Sequence, residues 1–197
     1  MKIETVDRST GYPIDLEDVK DHLRIPTGET RQDNYLIRLI TMAAETVEGL
    51  TNRALTRRTL KLYLDSWSTS DSIELPYPPL STETDAVVKY KDTDSSTITM
   101  SSTGYLMDAV SEPGRIVLGY QENWPTEILH NVNPISIQYL CGYRGSTAVP
   151  EKLKQAMLIS IADMYENRES AIVGQSVQEL PTIKNLVRDY RSFKFGE

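Results

Sequence analysis

VPEKLKQAMLISIADMYENR, residues 149–168, is the stretch whose reading decides the fold. Pro150 suits a first helical turn, where its missing N–H costs nothing, and Glu151 places negative charge at the positive end of the helix dipole. Leu153, Ala156, Met157, Ser160, Ile161 and Met164 recur at three- and four-residue spacing, so they form one stripe of a 3.6-period helix. Burying Leu153, Met157, Ile161 and Met164 at ~1.5–3 kcal/mol each stabilises by roughly 6–12 kcal/mol before ordering entropy is subtracted. Leu158, Ala162 and Tyr165 widen the stripe and read as a second covered layer of the same fold. Ile159 falls among Lys152, Gln155, Asp163 and Glu166, where it is either a singly exposed apolar residue or a subunit contact.

A second helix matches this one in length and pattern. Asp33 or Asn34 caps it, and Leu36, Leu39, Ile40, Ala43, Val47 and Leu50 form its stripe. Two such stripes most simply bury each other. Before it, Asp15 caps a short helix with Leu16, Val19 and Leu23 on its apolar edge, ended by Pro26, and residues 1–13 read as irregular.

After Thr51-Asn52-Arg53 the period changes from 3.6 to 2. Strands are predicted at 60–64, 73–75, 86–90, 97–100, 105–107, 115–118 and 135–140, separated by turn signals such as the PYPPL run at 76–80, Glu112-Pro113-Gly114 and Asn133-Pro134. The fold class is therefore α+β: an antiparallel helical bundle from residues 1–56 and 149–197, with a small, mostly antiparallel β domain, 57–148, inserted between its main helices. Trp67 and Trp124 are expected in a core or at a domain junction.

The composition is that of an ordinary globular chain, 39% hydrophobic and 25% charged. No apolar run reaches the length of a membrane span, and the N-terminus has no signal-peptide segment, so no membrane role is expected. Lys+Arg against Asp+Glu is 7 against 10 for residues 1–56, 7 against 11 for 57–148 and 7 against 7 for 149–197. This acidic body argues against nucleic-acid binding as the main task and suits a surface that DNA passes without sticking.

Nothing in the motifs points to an enzyme. Cys141 is the only cysteine and sits in the apolar run ISIQYLCGY, where it reads as a small buried hydrophobe. His22 and His130 are the only histidines; Asp18 and His22 share an i,i+4 face, but two ligands do not make a metal site. There is no nucleophile elbow, phosphate loop, zinc-protease helix or dinucleotide fingerprint, and no cofactor is expected.

Residues 170–179 read as a loop. Beyond it, Leu180-Pro181 opens an amphipathic segment with Ile183, Leu186, Val187 and Tyr190. From 181 to 195 the sign reverses, with Lys184, Arg188, Arg191 and Lys194 against Asp189 alone. Both Phe residues, Phe193 and Phe195, lie here, and aromatics at a chain end call for a partner.

Several stretches taken in order resemble the head-tail connector (adaptor) proteins of long-tailed bacteriophages and gene transfer agents. They are LEDVKDHLRI at 16–25, VEGLTNRAL at 47–55, ELPYPPL at 74–80, EPGRIVL at 112–118, Gly142-Tyr143, VPEKLKQAMLISIADMYENRE at 149–169 and LP…LVRDYR at 180–191. Where members often carry Gly after Thr at the second helix's end, this chain has Asn52, which tolerates the same left-handed geometry. The resemblance implies a non-enzymatic ring, commonly of twelve copies, in the virion neck. It would join the portal protein to a stopper or tail-terminator protein, leave a channel for DNA, and be made in the bacterial host cytoplasm. It also implies that Arg188, Tyr190, Arg191, Phe193, Lys194 and Phe195 anchor the portal, and that Ile159, Leu158, Ala162 and Tyr165 meet the next subunit. Truncation after Leu186 should then abolish docking and leave the fold intact. The alternative is a monomeric module whose β domain recognises a tail-tip or host-surface ligand.

Overall fold

A computed structural model of the chain describes residues 1–167 and 181–192. The loop expected at 170–179, and Phe193, Lys194 and Phe195, lie outside these residues. Among those described are four α-helices and eight strands, and every strand pairing is antiparallel, so the fold is mixed α+β. The chain forms two compact units, Met1–Ser9 with Arg57–Gly142, and Thr10–Thr56 with Tyr143–Ser192.

The second unit holds the helices α1 (Leu16–His22), α2 (Asp33–Thr51), α3 (Glu151–Glu166) and α4 (Pro181–Val187). The stripes read from the sequence are its core: Leu36, Leu39, Ile40, Ala43 and Val47 of α2 are buried together with Leu153, Ala156, Met157 and Ile161 of α3. Ile183 and Val187 bring α4 onto the same cluster. Pro150 stands just before the first turn of α3 with φ −56°, the geometry its ring imposes.

The expected caps are used differently. Asp15 precedes α1 in extended conformation, but its carboxylate makes no bond to the helix and accepts the Ser146 hydroxyl at 2.9 Å on both oxygens. Asp33 is the first residue of α2 rather than its cap, which is Gln32. Its side chain is drawn instead to the Lys20 ammonium, 2.7 Å from Oδ1 and 3.9 Å from Glu17. Lys20 is only 1% exposed, so a buried charge outcompeted the cap.

In the first unit all seven strands predicted from alternation are present: β2 (Arg58–Leu64), β3 (Ser72–Glu74), β4 (Val87–Lys91), β5 (Thr97–Thr99), β6 (Tyr105–Asp108), β7 (Arg115–Leu118) and β8 (Ile135–Cys141). An eighth, β1 (Lys2–Arg8), occupies residues read as irregular, and this corrects the assignment of the first nine residues to the helical part. The strands form a five-stranded sheet in the order β1-β2-β8-β4-β5 and a three-stranded sheet β3-β7-β6. Leu62, Ile137 and Val88 lie opposite one another across three strands and are wholly buried, a row that fixes the register.

The turns carry their own constraints. Tyr139 is buried, and its hydroxyl donates to the Pro76 carbonyl at 2.8 Å across the PYPPL turn; burial pushes the phenol far above its ordinary range. At Gly114 an added Cβ would stand 2.3 Å from Leu80 Cδ1, so the EPG turn needs glycine for space. Asp108 binds that turn through the hydroxyl and N–H of Ser111, the N–H of Val110 and Arg115 Nε. These bonds, the Ser111 hydroxyl first, hold its carboxyl well below the usual range. Trp67 stacks on Trp124 at 5.1 Å and meets Tyr90 edge-on at 5.8 Å.

Candidate functional site

The basic C-terminal segment is rooted in the helical unit. Asn52 ends α2 in the left-handed conformation, φ 53° and ψ 35°, as the sequence allows, and its N–H is bonded to the Glu48 carbonyl at 2.8 Å. The Glu48 carboxylate accepts the Leu55 N–H at 2.7 Å, closing the corner that leads out of the helix. Thr51, Asn52 and Arg53 then reach the segment after α4. The Ser192 N–H donates to the Thr51 carbonyl at 2.7 Å, Asn52 Nδ2 donates to the Ser192 carbonyl at 2.9 Å, and Arg53 Nε donates to the Tyr190 carbonyl. The Arg53 guanidinium also lies over the Tyr190 ring, 5.8 Å from its centroid.

Of the six residues read as portal contacts, three are described. Arg188 and Arg191 are exposed and Tyr190 is half-buried against Arg53. Phe193, Lys194 and Phe195 are outside the described residues. Asp189, the one acidic residue here, pairs with Lys152 of α3 at 3.1 Å; this bond raises the lysine's pKa, yet both groups stand in water. Val187 is a core residue and Ser192 is bonded to α2, so cutting after Leu186 removes structure as well as any anchor.

The residues read as subunit contacts sit together on α3. Leu158, Ile159 and Tyr165 are partly covered and packed on the core of their own unit, and Ala162 is half-buried beside them. Ile159 therefore does not stand alone in water. The Tyr165 hydroxyl donates to Gln32 Oε1 at 2.9 Å, and its ring lies 6.2 Å from that of Tyr35.

Asp18 and His22 line an open groove with Asp21, Glu151, Lys154 and Leu158. Among the described residues no cluster of three or more His, Cys, Asp or Glu is arranged to hold a metal. Cys141 is buried, its thiol 3.6 Å from the Arg58 carbonyl.

Two features escaped the sequence reading. Thr51-Asn52-Arg53 reads in the sequence as a break in periodicity with Asn52 as a left-handed helix end, and nothing local shows that these residues also hold a segment 140 positions later. In the sheet unit, Leu106, Val110, Tyr120, Ile128 and Val132 are exposed by 64 to 93%, and nothing in a turn-rich stretch distinguishes an uncovered apolar side chain from a covered one.

No curated protein matches the chain. Its fold is similar to that of a chain in the neck of an empty gene transfer agent particle computed with C6 symmetry, at a TM-score of 0.78. It is also similar to chains in the neck of the native particle computed with C12 symmetry, at 0.75, and in the native virion, at 0.77. Each is 22% identical, covering 98% of this chain and 97% of the other. The model of the Phage gp6-like head-tail connector protein family matches residues 13–112, from the entry to α1 through β6 into the EPG turn. The chain belongs to that family of head-tail connector proteins.

Proposed function

We propose that the chain is the adaptor of a virion neck: a ring of copies, commonly twelve, that docks beneath the portal and joins it to a stopper or tail-terminator protein. The family match carries this reading, and the likeness of fold over nearly the whole chain to particle-neck subunits supports it. In this reading the helices form a bundle with the β domain inserted between them. The neck is assembled in the bacterial host cytoplasm, and DNA crosses the channel without specific binding. The net charge of −7 favours passage over retention.

A closed ring needs two different patches on each subunit. The partly covered α3 residues Leu158, Ile159, Ala162 and Tyr165 are assigned to one of them, and the uncovered apolar side chains of the sheet unit are what the other would bury. Arg188 and Arg191, with the aromatics that follow, are the portal anchor: aromatics supply buried area and cations supply orientation.

The test is the native mass of this chain co-expressed with the portal protein of its own genome. A stoichiometric ring-on-ring complex is expected, lost on deletion of residues 193–197, a cut that spares Val187 and the bonds to Ser192. No association at any concentration would overturn the reading and direct attention to the β domain as a monomeric ligand-binding module.

A further inference from the structure

We infer that Asn52 and Arg53 are positioning residues for docking: with the Thr51 carbonyl they form a clamp that holds Ser192, the residue from which the proposed anchor continues in sequence. This inference rests on the proposed anchor role of that tail. Three observations meet at one place. Both backbone polar groups of Ser192 are held by α2's end, its N–H by the Thr51 carbonyl at 2.7 Å and its carbonyl by Asn52 Nδ2 at 2.9 Å. The Tyr190 carbonyl accepts Arg53 Nε while its ring receives the same guanidinium. Thr51 is 0% and Arg53 6% exposed, the clamped Ser192 is 8% exposed, and Asn52 is half-buried between them.

Capping does not explain this arrangement. A left-handed helix end is served by glycine, whose missing side chain removes the steric cost, so the Asn52 amide is spare for the cap itself. It is spent on a residue 140 positions away. Arg191, between the clamped groups, is left exposed, so the clamp holds the backbone and leaves a cation turned to solvent.

The mechanical consequence concerns reach. Phe193, Lys194 and Phe195 follow Ser192 directly, and three residues span at most about 10 Å. Groups within that chain length of Ser192 are placed for a fixed pocket only when Ser192 is itself held. If the clamp opens, the docking-competent population falls, and the apparent affinity falls by the same fraction.

The experiment uses the full chain and the portal protein, with affinity, amide exchange at Ser192 and thermal unfolding measured for each variant. Asn52→Gly keeps the left-handed cap and deletes one bond; Arg53→Met keeps the apolar stem and deletes the other; Arg53→Lys keeps a cationic donor. Folded variants are expected to exchange the Ser192 amide faster and to bind portal about tenfold more weakly for the double variant Asn52→Gly/Arg53→Met, with Arg53→Lys intermediate. Should Arg53→Met fail to fold, Asn52→Gly decides, with a weaker but measurable loss.

Faster exchange with unchanged affinity would overturn the inference, leaving a purely structural contact. Unchanged exchange would overturn it as well, because the bonds would then hold nothing. If the parent chain itself does not bind portal, the anchor reading fails and the positioning role falls with it; a parent that binds with variants that bind equally removes the clamp alone.

Discussion

Replacing Asp33 by Ala should cost far more stability than replacing its partner Lys20 by Met, although the same ion pair is lost in both. Lys20 is 1% exposed, 2.7 Å from Asp33 and 3.9 Å from Glu17. The Asp33 side chain is 27% exposed and that of Glu17 57%. Removing Asp33 leaves an ammonium in the interior with only a distant carboxylate in water. Orphaning a buried charge costs ~3–5 kcal/mol, and partial exposure of the pair puts this case at the lower end, ~3 kcal/mol. Asp33 also sits in the first turn of α2, so the lost dipole interaction adds ~0.3–1 kcal/mol. Lys20→Met instead leaves Asp33 at that helix start with part of its carboxylate in water and only its buried Oδ1 without the ammonium, and fills the hole with an apolar chain of similar length, at ~1–2 kcal/mol. The decisive quantity is the difference, about 2 kcal/mol, which at a urea m-value of ~1–3 kcal/mol/M separates the midpoints by roughly 1 M. Far-UV circular dichroism is the signal to follow, since both Trp residues lie in the sheet unit. A Lys20→Met variant as unstable as Asp33→Ala would refute the argument.

Three further outcomes follow from the sheet unit. Tyr139→Phe strips the Pro76 carbonyl of its hydroxyl donor and should cost ~1–2 kcal/mol by denaturation at neutral pH. Because the folded-state pKa of Tyr139 is raised, its contribution is complete below the unfolded value near 10 and is lost as pH rises beyond it, so the Phe variant should lose less stability between pH 9.5 and 11 than the parent. Asp108 is shifted the other way: its contribution is present above the unfolded value near 4 and lost as pH falls below it, so Asp108→Asn should flatten the acid limb of a stability-versus-pH curve. Gly114→Ala should lower stability by ~1–3 kcal/mol by driving a methyl into Leu80, and combining it with Leu80→Ala should cost clearly less than the sum.

The main helices and most strands were legible because they present one periodic apolar face to a core, Leu36 to Val47 at 3.6 spacing and Leu60 and Leu62 at 2, while β5, with only Ile98 partly covered, was marked by its β-branched run. β1 was not legible because it has no such face. Of its seven residues only Ile3 is even partly covered, its apolar residues Ile3 and Val6 fall on opposite parities, and a bulge between Thr5 and Asp7 breaks the alternation. What makes it a strand is β2, more than fifty positions later, and local pattern carries no trace of that. The same holds for Lys20, which looks like an exposed helix lysine until Asp33 is brought to it from the next helix. The basic, aromatic character of the C-terminal segment could be read directly. Its attachment to Thr51, Asn52 and Arg53 could not, since a bond between residues 140 positions apart is a property of the folded chain.

The sheet order β1-β2-β8-β4-β5 also sets a timetable. β8, the strand between β2 and β4, leaves the ribosome after the other four, more than forty residues behind β4. Until Ile135 to Cys141 emerge, the pair β1 with β2 and the hairpin β4 with β5 are separate two-stranded pieces, each with a bare inner edge, and isolated two-stranded pieces are barely stable in water. At ~5–20 residues per second the nascent chain carries these open edges for several seconds. A message broken before codon 135 would yield a polypeptide that no amount of waiting could close into this sheet, and the cell's proteases would meet it as unfinished work.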